Sequence, residues 1–392
     1  MSNILIYSTN EPYIHQGGME RVTDSLIRLL QQRGHRVSVL CRNHNRMNAD
    51  YSCPCNIFYL PPNCAPGAYY EQLLEQLQPH IIIDQEEGGI IGPHGFFPSR
   101  GRLKHKGQYY IAVLHSSALS ALRNYKHLRH KAIPNALLST LYHETILPLM
   151  QQRATLLKRR DYRQLALNYD RIVTLSESAI GDFRVLCPTG GRICSIANCT
   201  HYHAPMTIPP KKKHLLFVGR MDNLSKGVDR LIRIMARLEE DFPDWELHLL
   251  GDGADLAANR ELAENLGLKN CRFHGCCDPE PFYRDASVIC LTSSFEGFGM
   301  VLLEGMQYGC IPIAFDSYPA VYDLIEHRQN GLLVPAFDEK AYARALSTLM
   351  SNEQLRLELG KAARNKSLEF SPEKIGKEWQ KLISTLLTER AS

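Results

Sequence analysis

Glu296 and Glu304 stand in "SSFEGFGMVLLEGMQYG" with seven residues between them. The first acid lies in a glycine-bearing turn after the apolar run "ASVICLTSS". The second falls about a turn and a half into an apolar helical run. Gly297 and Gly299 lack a Cβ, so the backbone there can approach a ligand closely with its N–H groups free. A helix start behind them favours an anion. Amides for phosphate and carboxylates for hydroxyls suit a sugar diphosphate, and a general acid/base pair is the competing reading. A second element points the same way. "FVGRMDNLSKGVDRL" sets Arg220 and Lys226 six residues apart in the loop after another strand. Two cations at a strand end suit a diphosphate leaving group, whose charge grows as it departs.

These residues need strands and helices to hold them, and the chain supplies both in alternation. Strands read at Asn3–Tyr7, Arg36–Cys41, His80–Asp84, Gln108–His115 and Arg171–Ser176. After a polar loop reaching Gly17-Gly18, Val22, Leu26, Leu29 and Leu30 recur at helical spacing until Gly34. The Pro-rich stretch Thr200–Lys213 reads as a linker. Alternation then restarts with strands at His214–Gly219, Glu246–Gly251, Cys271–Gly275, Ala286–Ser293, Ile311–Phe315 and Gly331–Pro335. Ser371-Pro372 opens a closing helix as cap and first residue. Such alternation predicts parallel sheets covered on both faces. With 392 residues, 44% of them hydrophobic, the chain is long enough for two domains. Ligands of such sheets lie outside the carboxyl ends of the strands, and two facing domains would hold one in the cleft between them.

Net charge is +4, and it is unevenly spread. Between Ala121 and Arg163 nine Lys/Arg (Arg123, Lys126, Arg129, Lys131, Arg153, Lys158, Arg159, Arg160, Arg163) face two acids, a local excess of +7. Interleaved with Leu, Ile and Tyr, this segment is either a solvated helical face or a surface for anionic membrane or acceptor. None of the twelve cysteines forms a CxxC pair, so no zinc spacing is present. The first residues lack a basic n-region and an apolar h-region, and no apolar run reaches the roughly 18 residues of a spanning helix. A reduced cytoplasmic setting, at most peripheral at the inner face of a membrane, is therefore expected.

"FEGFGMVLLEGMQYGCIPIAF" resembles the E-x7-E signature of the retaining GT-B glycosyltransferases of family 4 (glycosyl transferases group 1). "FVGRM…SKGVDRLI" resembles that family's phosphate-binding Arg/Lys loop, and "NGLLVPAFDEKAYARAL" its asparagine-glycine turn. "LLGDGADLAANRELAENLGLKNCRFHGC" is similar to the strand–helix–strand between them. "HQGGMERVTDSLIRLLQQRGHRVSVLC" resembles the family's glycine-containing first loop, and "AVLHS" the strand end with its catalytic-site histidine. The likeness covers essentially the whole chain and is densest from His214 to Pro335.

The resemblance implies an α/β protein of GT-B type, with two Rossmann-like doubly wound domains facing across a cleft. Residues 1–200 would bind the acceptor and 201–370 the nucleotide sugar, with 371–392 a helix packing back toward the first domain. It implies a retaining hexosyltransferase using a nucleotide sugar, UDP- before GDP-linked, on a glycan or glycolipid acceptor in polysaccharide biosynthesis. Glu296 would hold donor-sugar hydroxyls and Glu304 the nucleotide ribose. Gly297, Phe298 and Gly299 would touch the sugar, and the amides of Met300 and Val301 the phosphate. Arg220 and Lys226 would bind the diphosphate, Gly17 and Gly18 would line it from the other domain, and His115 would sit near the reacting sugar. No Asp-x-Asp metal motif is present, so no metal and no cofactor are expected, and the leaving phosphate would take the acceptor's proton.

The sequence also departs from the family pattern. "SIANCT" keeps Asn198 of a common isoleucine-proline-asparagine-glycine run but has Ala197 and Cys199 in place of the proline and the glycine. "DSYPAVYD" keeps Pro319 but continues with Ala320 where a glutamate is usual, and Ser116 follows His115 where an acid is usual. A GT-B epimerase and a degenerate nucleotide-binding protein are the rival readings. The first would change sugar configuration without acceptor and the second would bind nucleotide without turnover. Nucleic-acid binding through Ala121–Arg163 would demand affinity falling steeply with salt and is not expected.

Overall fold

The structure, a computed structural model, describes the chain apart from residues 14–16, 45–52, 63, 93–94, 103–106, 129–135, 190–191, 201, 203–204 and 390–392. Arg129 and Lys131 of the basic segment lie outside the described residues, as does the side chain of Lys126. The chain divides into two compact units: Met1–Leu119 with Leu149–His201 and Phe370–Ser392, and Ser120–Pro148 with Tyr202–Glu369.

The first unit is built on a sheet of seven parallel strands: β1 (Asn3–Ser8), β2 (Arg36–Cys41), β3 (Asn56–Tyr59), β4 (Ile81–Asp84), β5 (Tyr109–Leu114), β6 (Arg171–Thr174) and β7 (Ile193–Ser195). Their order is β3-β2-β1-β4-β5-β6-β7. The central strands are buried throughout, which is why they read as unbroken apolar runs. Helix α1 (Gly18–Gln32) buries Val22, Leu26, Leu29 and Leu30, the residues whose spacing marked it. It is followed by Gly34 at φ +81°, the left-handed position that ends a helix at least cost. A long helix, α2 (Leu147–Asn168), carries Arg153, Lys158, Arg159, Arg160 and Arg163 of the basic segment.

The second unit holds six parallel strands: β8 (Lys212–Val218), β9 (Glu246–Leu250), β10 (Cys271–Gly275), β11 (Ala286–Leu291), β12 (Ile311–Asp316) and β13 (Leu332–Pro335). Their order is β10-β9-β8-β11-β12-β13. Helices α3 (Val228–Ala236), α4 (Glu280–Asp285) and α5 (Met300–Gln307) accompany it. Leu215, Phe217, Leu247, Leu249, Val288 and Ile313 form its core with the apolar face of α3. Burying each such side chain contributes about 1.5–3 kcal/mol. Because β8 lies beside β11, the loops after these two strands, 70 residues apart in sequence, emerge side by side.

Helix α6 (Pro372–Glu389) joins the first unit by side-chain contacts at three levels. Arg33 donates to the Glu373 carbonyl at 2.9 Å, His35 meets Gln380 at 2.9 Å, and Arg171 pairs with Glu389 at 2.5 Å. The boundary expected near residue 200 needs one correction, because Ser120–Pro148 clusters with the second unit. Asn124 is the tie: its Nδ2 donates to the carbonyls of Ser294 at 2.6 Å and Ser317 at 3.0 Å. Of the three lysines ending the expected linker, Lys212 and Lys213 are strand rather than loop, since Lys212 begins β8.

Candidate active site

The loop after β8 is shaped by its own short-range hydrogen bonds. Asp222 caps the turn Asn223–Lys226, accepting from the Ser225 amide at 3.2 Å, and Gly227 ends it at φ +64°. A Cβ on Gly227 would lie 2.4 Å from the Thr292 carbonyl oxygen. The chain can pass this close to the β11 loop only as glycine. The two loops are then laced together. The Ser294 amide donates to the Ser225 carbonyl at 2.7 Å, and Thr292 Oγ1 to that of Gly227 at 2.8 Å. Arg230 of α3 is buried and donates to the Thr292 carbonyl and to Ser294 Oγ, each at 3.1 Å.

This lacing brings Lys226 and Glu296 together. Lys226 Nζ lies 2.6 Å from Glu296 Oε1, and Ser293 Oγ donates to the same oxygen at 2.7 Å. The lysine side chain is 24% exposed and the glutamate 14%, so the pair sits at the surface of a recessed loop rather than in the core. Arg220 differs: its guanidinium is 67% exposed and only loosely tied, 3.3 Å from Asp222. It can turn to an incoming anion at little cost.

Behind Glu296 the turn closes on Gly299, the N-cap of α5, at φ +89°. A Cβ there would meet the buried Tyr318 hydroxyl at 2.5 Å. Phe298 is buried, and Met300 and Val301 form the first turn of α5. First-turn amides have no intrahelical acceptor and carry the positive end of the helix dipole. Burial, with the charge of Glu296 adding to it, pushes the Tyr318 phenol well above its usual range.

Glu304 stands apart from this surface. It is fully buried on α5, and Tyr283 of α4 donates its hydroxyl to Oε2 at 2.7 Å. Tyr202 and Tyr308 pack around Tyr283 with ring centroids 5.9 and 6.0 Å away. A ribose reaching Glu304 would therefore share its carboxylate with Tyr283, which two oxygens with several lone pairs allow.

In the first unit, His115 follows β5 and its Nε2 meets Gln85 Oε1. With Gln85, Asn198 and Trp379 it lines a recess of that unit. Burial pushes the imidazole down to about 4, so it is neutral at physiological pH. Gly17 is the N-cap of α1, and a Cβ on it would meet the Glu20 carboxylate, whereas Gly18 faces open space.

In the loop after β4, "DQEEGGIIGPHG", residues 93 and 94 lie outside the described residues. The rest is a carboxylate loop that fixes neighbouring strand ends. Buried Asp84 accepts from the Ile90 amide at 2.9 Å, and Glu86 from the Thr9 amide at 2.7 Å. Glu87 accepts from the amide and hydroxyl of Ser116 at 2.8 and 2.7 Å. A strand followed by acids and two glycines was the available signal.

A family model described as "Glycosyltransferase Family 4" matches residues 16–201, and one described as "Glycosyl transferases group 1" matches residues 200–366. The chain belongs to the family 4 glycosyltransferases. This family 4 chain is 30% identical over 223 residues to an uncharacterized glycosyltransferase of Haemophilus influenzae, across 55% of its own length and 61% of that protein. It is 30% identical over 175 residues to an alpha-1,4-N-acetyl-D-galactosaminyltransferase of Campylobacter jejuni, named for a PP-undecaprenol-linked glycan, across 44% and 48% of the two chains. It thus spans less than two thirds of these curated relatives. Among solved structures it superposes on Anabaena Alr3699/HepE in complex with UDP-glucose with a TM-score of 0.72 and 17% identity, covering 98% of this chain and 100% of that one. That likeness establishes the fold: two Rossmann-like parallel-sheet domains of GT-B type.

Proposed function

We propose that this chain transfers a hexose from a nucleotide sugar, UDP-linked in preference to GDP-linked, to a glycan or glycolipid acceptor with retention at the anomeric carbon. The observation that carries the reading is the Lys226–Glu296 pair, 2.6 Å apart at the head of α5 with exposed Arg220 on the same loop. A cation, a carboxylate and a helix N-terminus at adjacent strand ends match the three parts of a sugar diphosphate.

In this reading Arg220, Lys226 and the amides of Met300 and Val301 hold the diphosphate and stabilise the charge that grows on it as the glycosidic bond breaks. Glu296 binds hydroxyls of the donor sugar, oriented by Ser293. Glu304, set back with Tyr283, takes the ribose hydroxyls. Gly297, Phe298 and Gly299 shape the wall beside the sugar. Neutral His115 offers a hydrogen bond near the reacting sugar without adding charge, and Gly17 and Gly18 line the phosphates, Gly18 with open space where a Cβ would lie. The acceptor hydroxyl attacks the anomeric carbon from the face the diphosphate leaves, and its proton passes to the departing phosphate oxygen. No enzyme nucleophile is required, and no metal takes part in this step.

Relatives' names support the donor and acceptor classes. Alr3699/HepE is described with UDP-glucose, and the Campylobacter enzyme is named for a lipid-linked glycan. The acceptor side of the reading also draws on α2. It exposes Leu149, Leu156, Leu157 and Leu167 among Arg153, Lys158, Arg159 and Arg160, a mixture that suits the headgroup region of an anionic membrane. Among the described residues no helix is long and apolar enough to cross a membrane.

The test is incubation of the full chain with UDP-hexoses and a panel of lipid-linked and free glycans, with proton NMR of the product. Formation of UDP and an axial or equatorial linkage matching the donor supports the reading. An inverted linkage, or an epimerised donor formed without acceptor, would overturn it.

A further inference from the structure

Away from the donor loops, the amino ends of β8 and β9 carry a cluster of nitrogen and oxygen donors that transfer chemistry leaves unused. His214 of β8 is the register partner of Glu246 of β9, and His248 follows two residues on, on the same face. One donor atom from each of the three lies within 4.8 Å of the others. Both histidines aim Nε2 at the same carboxylate oxygen, Glu246 Oε2, at 3.6 Å from His214 and 3.3 Å from His248.

Those separations are long for hydrogen bonds, which centre near 2.9 Å. They match the edge of a tetrahedral zinc polyhedron, about 3.3–3.6 Å for nitrogen and oxygen ligands at 2.0–2.2 Å. The surroundings are also those of a built site. His248 Nδ1 meets His274 Nε2 of β10 at 3.0 Å, an outer partner that fixes the ring and turns Nε2 toward the carboxylate. Phe282 of α4 packs on both rings, with centroids 5.9 and 4.6 Å away. Arg272 occupies the other carboxylate oxygen, Oε1, at 3.2 Å, leaving Oε2 to the histidines.

We propose that His214, Glu246 and His248 bind one borderline divalent cation of the Zn2+ class, with His274 orienting His248 and water filling the open position. The ligand set of two imidazoles and a carboxylate favours such a cation over Mg2+ or Ca2+. The site clamps β8 to β9 about 13 Å from the end of β8 that leads to Arg220, four residues at about 3.3 Å each. It is thus a staple of the nucleotide-sugar domain rather than part of the chemistry, and it is independent of the donor assignment.

The test uses the full chain stripped by chelator and titrated with ZnCl2 by calorimetry, and with Co2+ by visible spectroscopy. One equivalent should bind, the melting temperature should rise with added Zn2+, and the Co2+ spectrum should lack a thiolate charge-transfer band. Glu246→Gln should abolish the melting shift, and His274→Gln should weaken Zn2+ by about 10–100-fold. His274→Gln also keeps the question open to measurement should Glu246→Gln fold poorly. Equal Zn2+ affinity in wild type and His274→Gln, absence of binding, or a thiolate band removed by Cys276→Ser/Cys277→Ser would overturn the proposal.

Discussion

Replacing Glu296 by Gln keeps the side chain's shape and removes one charge, which separates two functions of opposite sign. Glu296 neutralises Lys226 at 2.6 Å and accepts from Ser293 at 2.7 Å. The two side chains are 24% and 14% exposed, so solvent screens the pair and its worth lies near the top of the range for surface pairs, about 1 kcal/mol. Folding stability should fall by about that much. UDP affinity should move the other way, because Lys226 no longer divides its charge between carboxylate and diphosphate, and about 1 kcal/mol is roughly a fivefold gain. Turnover should drop, since a charged hydrogen bond to a sugar hydroxyl is worth about 1.5–3 kcal/mol, or about 10–150-fold in kcat/KM. Calorimetric titration with UDP and a coupled assay of UDP release read the two effects on one preparation. Weaker UDP binding, or turnover near that of wild type, would refute the reasoning.

Gly227→Ala should cost at least about 1–3 kcal/mol in chemical denaturation and weaken UDP binding, because φ +64° and a Cβ 2.4 Å from the Thr292 oxygen force the two loops apart. The His115 pKa is depressed to about 4 in the folded chain against about 6.5 unfolded. Its contribution is therefore complete above pH 6.5 and is lost as pH falls toward 4. Urea midpoints at pH 7 and pH 5 should differ less in His115→Gln than in wild type. Reversing the charges of Arg153, Lys158, Arg159 and Arg160 together should reduce sedimentation with anionic but not neutral liposomes, while equal sedimentation with both would make α2 a solvated face only.

The strands of both sheets were legible because central parallel strands are buried on two faces and read as apolar runs. The two that escaped notice, β3 and β7, are edge strands of four and three residues, too short and too exposed to carry a pattern. Within the site, residue types and spacings were readable, but pairings were not. The contact of Lys226 with Glu296 depends on β8 lying beside β11, a fact of sheet order that no local window contains. The burial of Glu304 beneath Tyr283 likewise depends on how α4 packs against α5. Asn124 shows the same limit, since a residue in a basic stretch secures one carbonyl in each of the distant loops after β11 and β12. The His214–Glu246–His248 cluster has a local half, the alternation in "ELH", but its third ligand comes from the neighbouring strand 32 residues earlier.

UDP titration of wild type against the Arg220→Ala/Lys226→Ala double variant, at matched salt, addresses the claim that these two cations grip the donor diphosphate. Loss of at least one charged hydrogen bond, about 1.5–3 kcal/mol or about 10–150-fold in Kd, is the expected result. Equal affinity in the two proteins would place the nucleotide elsewhere and contradict the account.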